Sequence, residues 1–365
     1  MPVRKGPPPL LGSCITAHAG RQPASWPPSA AALPDTYGDV SGWSSKIHVA
    51  FYDTRKKPST DSMRAAAALF NTSDIVLHLV LSYPRPVPGF VVSSMARLPP
   101  VGTCLHKNLK RLAHGPGLQY VLKPLMHWVL PREVHKLILL DTDVVILHGI
   151  RPLWNEFDNF GPRAVIGVGK EQSNLYKKDA IGMNGGVQLL HLQRMREAEA
   201  ATYLDALDLY ASGKAGRWIG YLGDQTLYSY MAWTHAAQMH FLPCEWNRQL
   251  SMQFGFRNKT VHSCPRRCEL LHANFGPLKC VAKRMQAAGG ACSAWRQIMN
   301  GTDATGCPRA RRSMFRHATR NYFSDCCRRD VAPGFLDAVG GSSTLRCGDA
   351  GETPCAMVPI PSRGR

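Results

Sequence analysis

Leu137-Ile138-Leu139-Leu140-Asp141-Thr142-Asp143-Val144-Val145-Ile146-Leu147 is the stretch on which the fold turns. Its first apolar run has no polar alternation, the pattern of a strand buried on both faces in a parallel sheet. Ionised carboxylates are costly to bury unless they are paired or bind a metal. Asp141 and Asp143 are therefore expected where the strand runs out, at the carboxyl edge of the sheet, where ligands bind in open α/β folds. Two neighbouring carboxylates suit a divalent cation with oxygen ligands, shared with a phosphate. The competing reading is a surface turn with two solvated acids.

Working outward, residues 47–52 read as a first strand and residues 75–81 as a second, nearly all apolar. Thr60 can cap a helix between them, and strand, helix, strand at this spacing predicts a right-handed βαβ unit. His78, in the middle of the second strand, reads as a core histidine. Residues 120–130 predict an apolar helix stopped by Pro131, with Lys123 just ahead of Pro124 and near the acidic edge. Beyond the acidic pair, residues 144–147 and 163–168 read as strands, with a short helix at 150–154. Gly182-Met183-Asn184-Gly185-Gly186 predicts a tight turn at positive φ feeding a strand over 187–190. Apolar residues at helical spacing predict one helix over 193–210, ended by Gly213. Asp224 and Gln225 open a further apolar helix, and on local pattern alone Asp224 reads as its N-cap. Residues 239–243 read as a late strand. His272, a glycine turn at Gly276 and Lys279 make a metal-plus-phosphate arrangement, a weak signal in isolation.

The chain divides by composition. Residues 1–45 are rich in Pro, Ala, Gly and Ser and predict a disordered leader or stem. Residues 46–285 form the main domain, and the 44% apolar content of the whole chain suffices for a full core. Residues 286–365 are a basic, cysteine-rich extension. A net charge of +19 attracts anions such as nucleotide sugars, acidic glycans, nucleic acid and phospholipid surfaces. Most of the 12 cysteines fall from Cys244 onward, and sequons stand at Asn71, Asn258 and Asn300. An even cysteine count with sequons points to an oxidising, secretory compartment. Cys264 and Cys268 have nearly zinc-ligand spacing, but no matching pair follows. Disulfides are the preferred reading, with Cys244 paired to Cys264 or Cys268. No apolar signal region follows Met1 and no run is long enough to span a bilayer. A Golgi or ER lumen location therefore expects a membrane anchor not seen in this chain. A cytoplasmic enzyme with free thiols is the alternative.

Taken in order, Lys123, Leu140-Asp141-Thr142-Asp143, Ile150 to Trp154, Asn184-Gly185-Gly186-Val187, Gly223-Asp224-Gln225 and His272-x-Asn274-x-Gly276 resemble glycosyltransferase family 8. These are retaining enzymes of the GT-A fold with an Asp-x-Asp motif. Within the family the chain is most similar to eukaryotic xylosyltransferases. Leu242-Pro243-Cys244-Glu245-Trp246-Asn247 and Glu171-Gln172-Ser173-Asn174 resemble the matriglycan-building kind, and the His-x-Asn-x-Gly form the glucoside xylosyltransferases. The resemblance covers residues 46–279. It implies a Rossmann-like, mostly parallel sheet with flanking helices. It implies Mn²⁺ held by Asp141, Asp143 and His272, a UDP-sugar donor, and a glycan or glycoprotein acceptor. Lys123 and Lys279 would meet pyrophosphate oxygens or donor hydroxyls, with Gly276 in the same turn. Thr142 would lie near the ribose, Asn184 and Asp224 would bind sugar hydroxyls, and Gln225 would lie against the anomeric carbon. Retention by front-face attack needs no strong nucleophile, and an amide dipole suits an oxocarbenium-like transition state.

Two departures stand out. The family commonly has Asn-Ser/Thr-Gly where this chain has Asn184-Gly185-Gly186, and Lys-Pro-Trp where Lys279 is followed by Cys280-Val281. Both bear on the donor sugar, for which xylose is preferred over glucose or galactose. A glycosidase needs two separated acids flanking a sugar, not a strand-end Asp-x-Asp. A basic module for nucleic acid or anionic glycans would draw on the arginines from Arg309 to Arg329, but a nucleic-acid partner is not expected. An inactive scaffold is disfavoured by the intact acids and histidine.

Overall fold

The computed structural model describes residues 11–15, 40–53, 60–70, 72–83, 85–112, 120–172, 182–197, 201–215, 223–249, 264, 268–274 and 279–289. The basic extension beyond residue 289, Gly276 and the three sequon asparagines lie outside the described residues.

Strands β1 (Ile47–Asp53) and β2 (Ile75–Leu81) run parallel, with α1 (Thr60–Ala67) between them in sequence, as the βαβ pattern requires. β3 (Val91–Ser94), α2 (Pro100–Leu112) and α3 (Met126–Val129) follow, then β4 (Leu137–Leu140) and β5 (Val144–Ile146). After these come α4 (Arg151–Asn155), β6 (Ile166–Lys170), β7 (Met183–Leu190), α5 (Leu192–Arg196), α6 (Ala201–Ala211) and α7 (Asp224–Thr234). The described order closes with β8 (Met239–Leu242), β9 (Arg248–Gln249), β10 (Leu270–His272) and α8 (Lys279–Ala287). Seven strands form one sheet in the order β3-β2-β1-β4-β7-β6-β8. Only β7 in it runs against its neighbours, pairing antiparallel with both β4 and β6. The chain thus has the mixed α/β fold with a mostly parallel sheet. Among the described residues, no helix is long and apolar enough to cross a membrane.

The unbroken apolar run of β4 is explained by its place. Leu137 and Leu139 pack into one core cluster, with α3, α6 and α7. Ile138 and Leu140 pack into a second, on the opposite face, with α1 and α4. Either face exposed would have forced polar alternation. The loop into β4 is held by one side chain: the Arg196 guanidinium donates to the carbonyls of His127, Leu130, Pro131, Arg132 and Val134.

A second, three-stranded sheet, β5-β10-β9, decides where the site lies. β4 ends at Leu140 and β5 begins at Val144, so Asp141, Thr142 and Asp143 are the crossing between the two sheets. β10 pairs antiparallel with β5, placing His272 opposite Val144. The Ala273 amide then donates to the Asp143 carbonyl at 2.8 Å.

Four expectations need correction. Residues 120–130 form a 3₁₀ turn, Lys123–Leu125, and the short α3, because Pro124 cannot continue an α ladder. The predicted helix over 193–210 is two helices, α5 and α6. The glycine turn at 182–186 is strand backbone without positive φ at Gly185 or Gly186. There β7 bulges: one step along β6, from Val168 to Gly169, spans Gln188 to Asn184 on β7. Fourth, part of the expected leader is docked. Cys14 is fully buried and disulfide-bonded to Cys104. Its amide and the Ser13 hydroxyl donate to the Asp208 carboxylate at 2.7 and 2.6 Å. Cysteine chemistry and one buried acid hold Leu11–Ile15 where composition suggested no order. The second bridge resolves the open alternatives for Cys244 in favour of Cys264.

Candidate active site

The end of β4, the bulge of β7, the first turn of α7 and the end of β10 converge. His272 Nε2 lies 3.7 Å from Asp141 Oδ2 and 3.5 Å from Asp143 Oδ1. One ligand atom from each of these three residues falls within 4.8 Å of the others. Asp143 and His272 are buried and Asp141 is partly exposed. Two carboxylates and an imidazole form a mixed hard-and-borderline donor set, which fits Mn²⁺ better than Ca²⁺. Four carboxylates, Asp141, Asp143, Asp224 and Glu171, stand here against Lys123 and Lys279, so the site attracts a cation. Burial opposes the charge of Asp143, but the neighbouring His272 ring and Lys279 ammonium hold its carboxyl down at about 2.

Lys123 lies beneath this group and is buried. Its Nζ donates to Asp141 Oδ1 at 2.8 Å and to the Gly185 carbonyl at 2.6 Å, and pairs with Asp224 Oδ2 at 3.5 Å. Burial opposes its charge, but Asp141 and Asp224 hold its pKa above the ordinary value. Asp224 is buried as well. Burial pushes its carboxyl up to about 6, against the pull of Lys123, since one lysine serves two acids. The N-cap of α7 is Gly223, whose φ of 61° and ψ of −121° favour glycine. Asp224 is thereby turned inward and does not act as the cap. Gln188 Nε2 fixes it, donating to Asp224 Oδ2 at 2.8 Å, while the Tyr228 hydroxyl donates to Gln188 Oε1 at 2.7 Å.

A second set of hydrogen bonds joins the remaining residues. Gln225 Nε2 donates to Glu171 Oε2 and to the Met183 carbonyl, both at 3.0 Å. Asn184 Nδ2 donates to the same Glu171 oxygen at 2.9 Å. Asn184 Oδ1 accepts from the Gly186 amide at 3.0 Å and from Asn247 Nδ2 at 2.9 Å. Asn247 Oδ1 faces His272 Nδ1 at 3.0 Å.

The glycines of the bulge are there for space. A Cβ on Gly185 would collide with the Asp224 carboxylate, and one on Gly186 would overlap the His272 ring. Lys279, half exposed, pairs with Asp143 Oδ2 at 3.1 Å from the start of α8. Gln286, further along α8, donates to the carbonyls of Thr142 and Val144 at 3.3 and 2.7 Å, clamping the acidic crossing.

The expected residues Asp141, Thr142, Asp143, Asn184, Asp224, Gln225, His272, Lys279 and Lys123 therefore share one site. Lys123 differs from its expected role: its ammonium is engaged by protein acceptors. Sequence reasoning missed Gln188, Asn247 and Gln286 as members. Gln188 interrupts an apolar strand, which was the available signal. Asn247 and Glu171 lay within segments quoted for the resemblance but carried no assigned role.

Fold and site together define a class: an α/β protein with an Asp-x-Asp crossing at the carboxyl edge of the sheet, completed by a histidine from a second sheet. That is the arrangement expected of a GT-A glycosyltransferase. The sequence has relatives of that class. It is 32% identical over 167 residues to xyloside xylosyltransferase 1 of Mus musculus, covering 39% of this chain and 43% of that protein. It is 32% identical over 155 residues to xylosyl- and glucuronyltransferase LARGE2 of Mus musculus, covering 38% of this chain and 21% of that protein. The chain thus spans less than half the length of these relatives. The crystal structure of apo mouse xyloside xylosyltransferase 1 matches with a TM-score of 0.47 and 23% identity, over 63% of this chain and 98% of that one. No family model matches. The resemblance to the xylosyltransferases of glycosyltransferase family 8 is borne out: the chain has homologues among them.

Proposed function

We propose that the protein is a Mn²⁺-dependent retaining glycosyltransferase that moves a sugar, xylose by preference, from a UDP-sugar to a hydroxyl of a glycan or glycoprotein, forming an α-linkage. The observation that carries this reading is the convergence of Asp141, Asp143 and His272 with Asp224 and Gln225 at one sheet edge. Asp141, Asp143 and His272 would hold the cation, which when bound supplies Lewis-acid neutralisation of the diphosphate.

The chain's own residues do the rest. Lys279 is half exposed and serves the pyrophosphate oxygens as a charge-assisted donor. Thr142 meets the ribose. Asn184 has a second amide N–H beyond the one given to Glu171, and offers it to a donor hydroxyl. Asp224 accepts from another. Lys123 acts from below, keeping Asp141 and Asp224 charged side by side. Gln225 has its amide nitrogen committed to Glu171 and Met183, which leaves its carbonyl dipole for the positive charge that develops at the anomeric carbon.

A secretory lumen suits the two disulfides and the sequons. The test is donor hydrolysis and transfer by purified protein with Mn²⁺ across UDP-sugars. Turnover of UDP-xylose to an α-xyloside is the expected result. Turnover of UDP-glucose or UDP-galactose alone would move the donor assignment, and none at all would remove the enzymatic reading.

A further inference from the structure

A histidine that binds a metal must present a lone pair to it, and the hydrogen bond at its other nitrogen decides which nitrogen does so. Here the polarity of that bond is set several residues away. Asn184 Oδ1 must be the oxygen of its amide, because it accepts from the Gly186 backbone N–H, an unambiguous donor. The other end of the same amide, Nδ2, meets a Glu171 carboxylate oxygen, which only accepts when ionised. With Asn184 fixed from both ends, Asn247 must offer its NH₂ to Asn184 Oδ1, so its oxygen must face His272 Nδ1. Nδ1 then carries the ring proton, and the lone pair of Nε2 points toward Asp141 and Asp143. Asn247 is fully buried, and Asn184 and Glu171 are 3% and 2% exposed, so bulk water does not compete for these bonds.

We propose that Asn247 is a positioning residue that holds His272 in its Nδ1–H tautomer, and that Glu171 and Asn184 set the direction of the Asn247 amide. Glu171 also accepts from Gln225, so one acid orients the amide near the reacting carbon and, through two asparagines, the histidine at the metal. The proposal rests on the reading of Asp141, Asp143 and His272 as metal ligands.

The test compares Mn²⁺ binding, read by electron paramagnetic resonance, with thermal melting for two variants. Asn247→Ala removes the acceptor for Nδ1–H and should weaken Mn²⁺ binding roughly 10–100-fold. Asn247→Asp keeps that acceptor but sets an oxygen against Asn184 Oδ1. It should lose thermal stability while keeping Mn²⁺ affinity within about three-fold, since the histidine's partner is retained. A merely structural asparagine would not separate the two readouts in this way. Should Asn247→Ala fail to fold, the tautomer of His272 in the wild type carries the test by itself. The ring-nitrogen NMR shifts of His272 in the metal-free wild type, taken at a pH where the ring is neutral, should report Nδ1–H. An Nε2–H tautomer, or unchanged Mn²⁺ affinity in folded Asn247→Ala, overturns the proposal. If the wild type binds no Mn²⁺, the metal reading itself fails, and the NMR tautomer still decides the role of Asn247.

Discussion

Buried Lys123 and partly exposed Asp141 form an ion pair in which the carboxylate is divided: Oδ1 takes the ammonium at 2.8 Å while Oδ2 faces His272. The two acids of the Asp-x-Asp crossing are therefore not equivalent. On the proposed roles, Asp143→Asn removes a metal ligand and loosens a pairing whose other member, Lys279, is half exposed, so it should abolish metal-dependent transfer with little change in melting temperature. Asp141→Asn removes a ligand and also strips a buried lysine of its closest counter-charge. Lys123→Ala leaves Asp141 and Asp224 unpaired below the surface and should cost about 3–5 kcal/mol, the usual result of breaking a buried pair. Melting curves beside Mn²⁺ titrations of the three variants check this ordering. Equal stability of all three would contradict it.

On the role proposed for Gln225, Gln225→Ala should lower kcat far more than it raises the donor KM, because charge at the anomeric carbon exists only in the transition state. Loss of one such dipole typically costs about 10²–10³ in rate. Asp224→Asn should instead raise the donor KM. Steady-state kinetics separate the two, and the anomeric coupling of the product tests retention. A β-linked product from an α-linked donor would remove the retaining assignment.

Acid should destabilise the fold through its buried histidines. Burial, with the Arg196 charge behind it, pushes His127 down to about 3, and burial holds His48 at about 4. Their ordinary value is 6.5. Between the two values the unfolded chain binds more protons than the folded one, so stability falls as pH drops below 6.5. The slope is about 1.4 kcal/mol per pH unit for each such group. His127→Phe should flatten the dependence of melting temperature on pH between about 6 and 4. An unchanged slope would exclude His127 as its source.

Both bridges should appear in non-reducing peptide maps as Cys14–Cys104 and Cys244–Cys264. Cys104→Ser should cost roughly 2–5 kcal/mol, as loss of a native bridge commonly does. It should also expose the strap at Leu11–Ile15 to proteolysis, whereas strap resistance without the bridge would assign the docking to its hydrogen bonds with Asn108, Asp208 and Ser212.

The parallel core was legible because its signals are local. The run at Leu137–Leu140 is apolar at every position, and that alone implies two covered faces. The acidic crossing, Asp224 and Gln225 were legible from residue order. What was not legible depends on long-range contact. Gly185 and Gly186 look like a turn because glycine tolerates positive φ. Their actual cause is the approach of Asp224 and His272, from positions far along the chain. Lys123 looked like a ligand for phosphate because lysines usually reach water. Its burial is set by Asp224, 101 positions away, a pairing that no window around Lys123 contains. The strap escaped notice because its composition is that of a linker, and what holds it is distant in sequence: the bridge from Cys14 to Cys104 and hydrogen bonds to Asn108, Asp208 and Ser212.

The bulge of β7 has an evolutionary consequence. At Gly186 the backbone and the ring of His272 leave room for a hydrogen atom alone, so Gly186→Ala should cost roughly 1–3 kcal/mol by overpacking and displace the imidazole. A saturation library at this position should return a single letter. Gly185 faces a carboxylate on the first turn of a helix, which can shift, so a small hydroxylated residue fits there if Asp224 gives way. Change in this segment is thus channelled: the backbone beside His272 is closed to any side chain, while the position one residue upstream admits one if Asp224 moves.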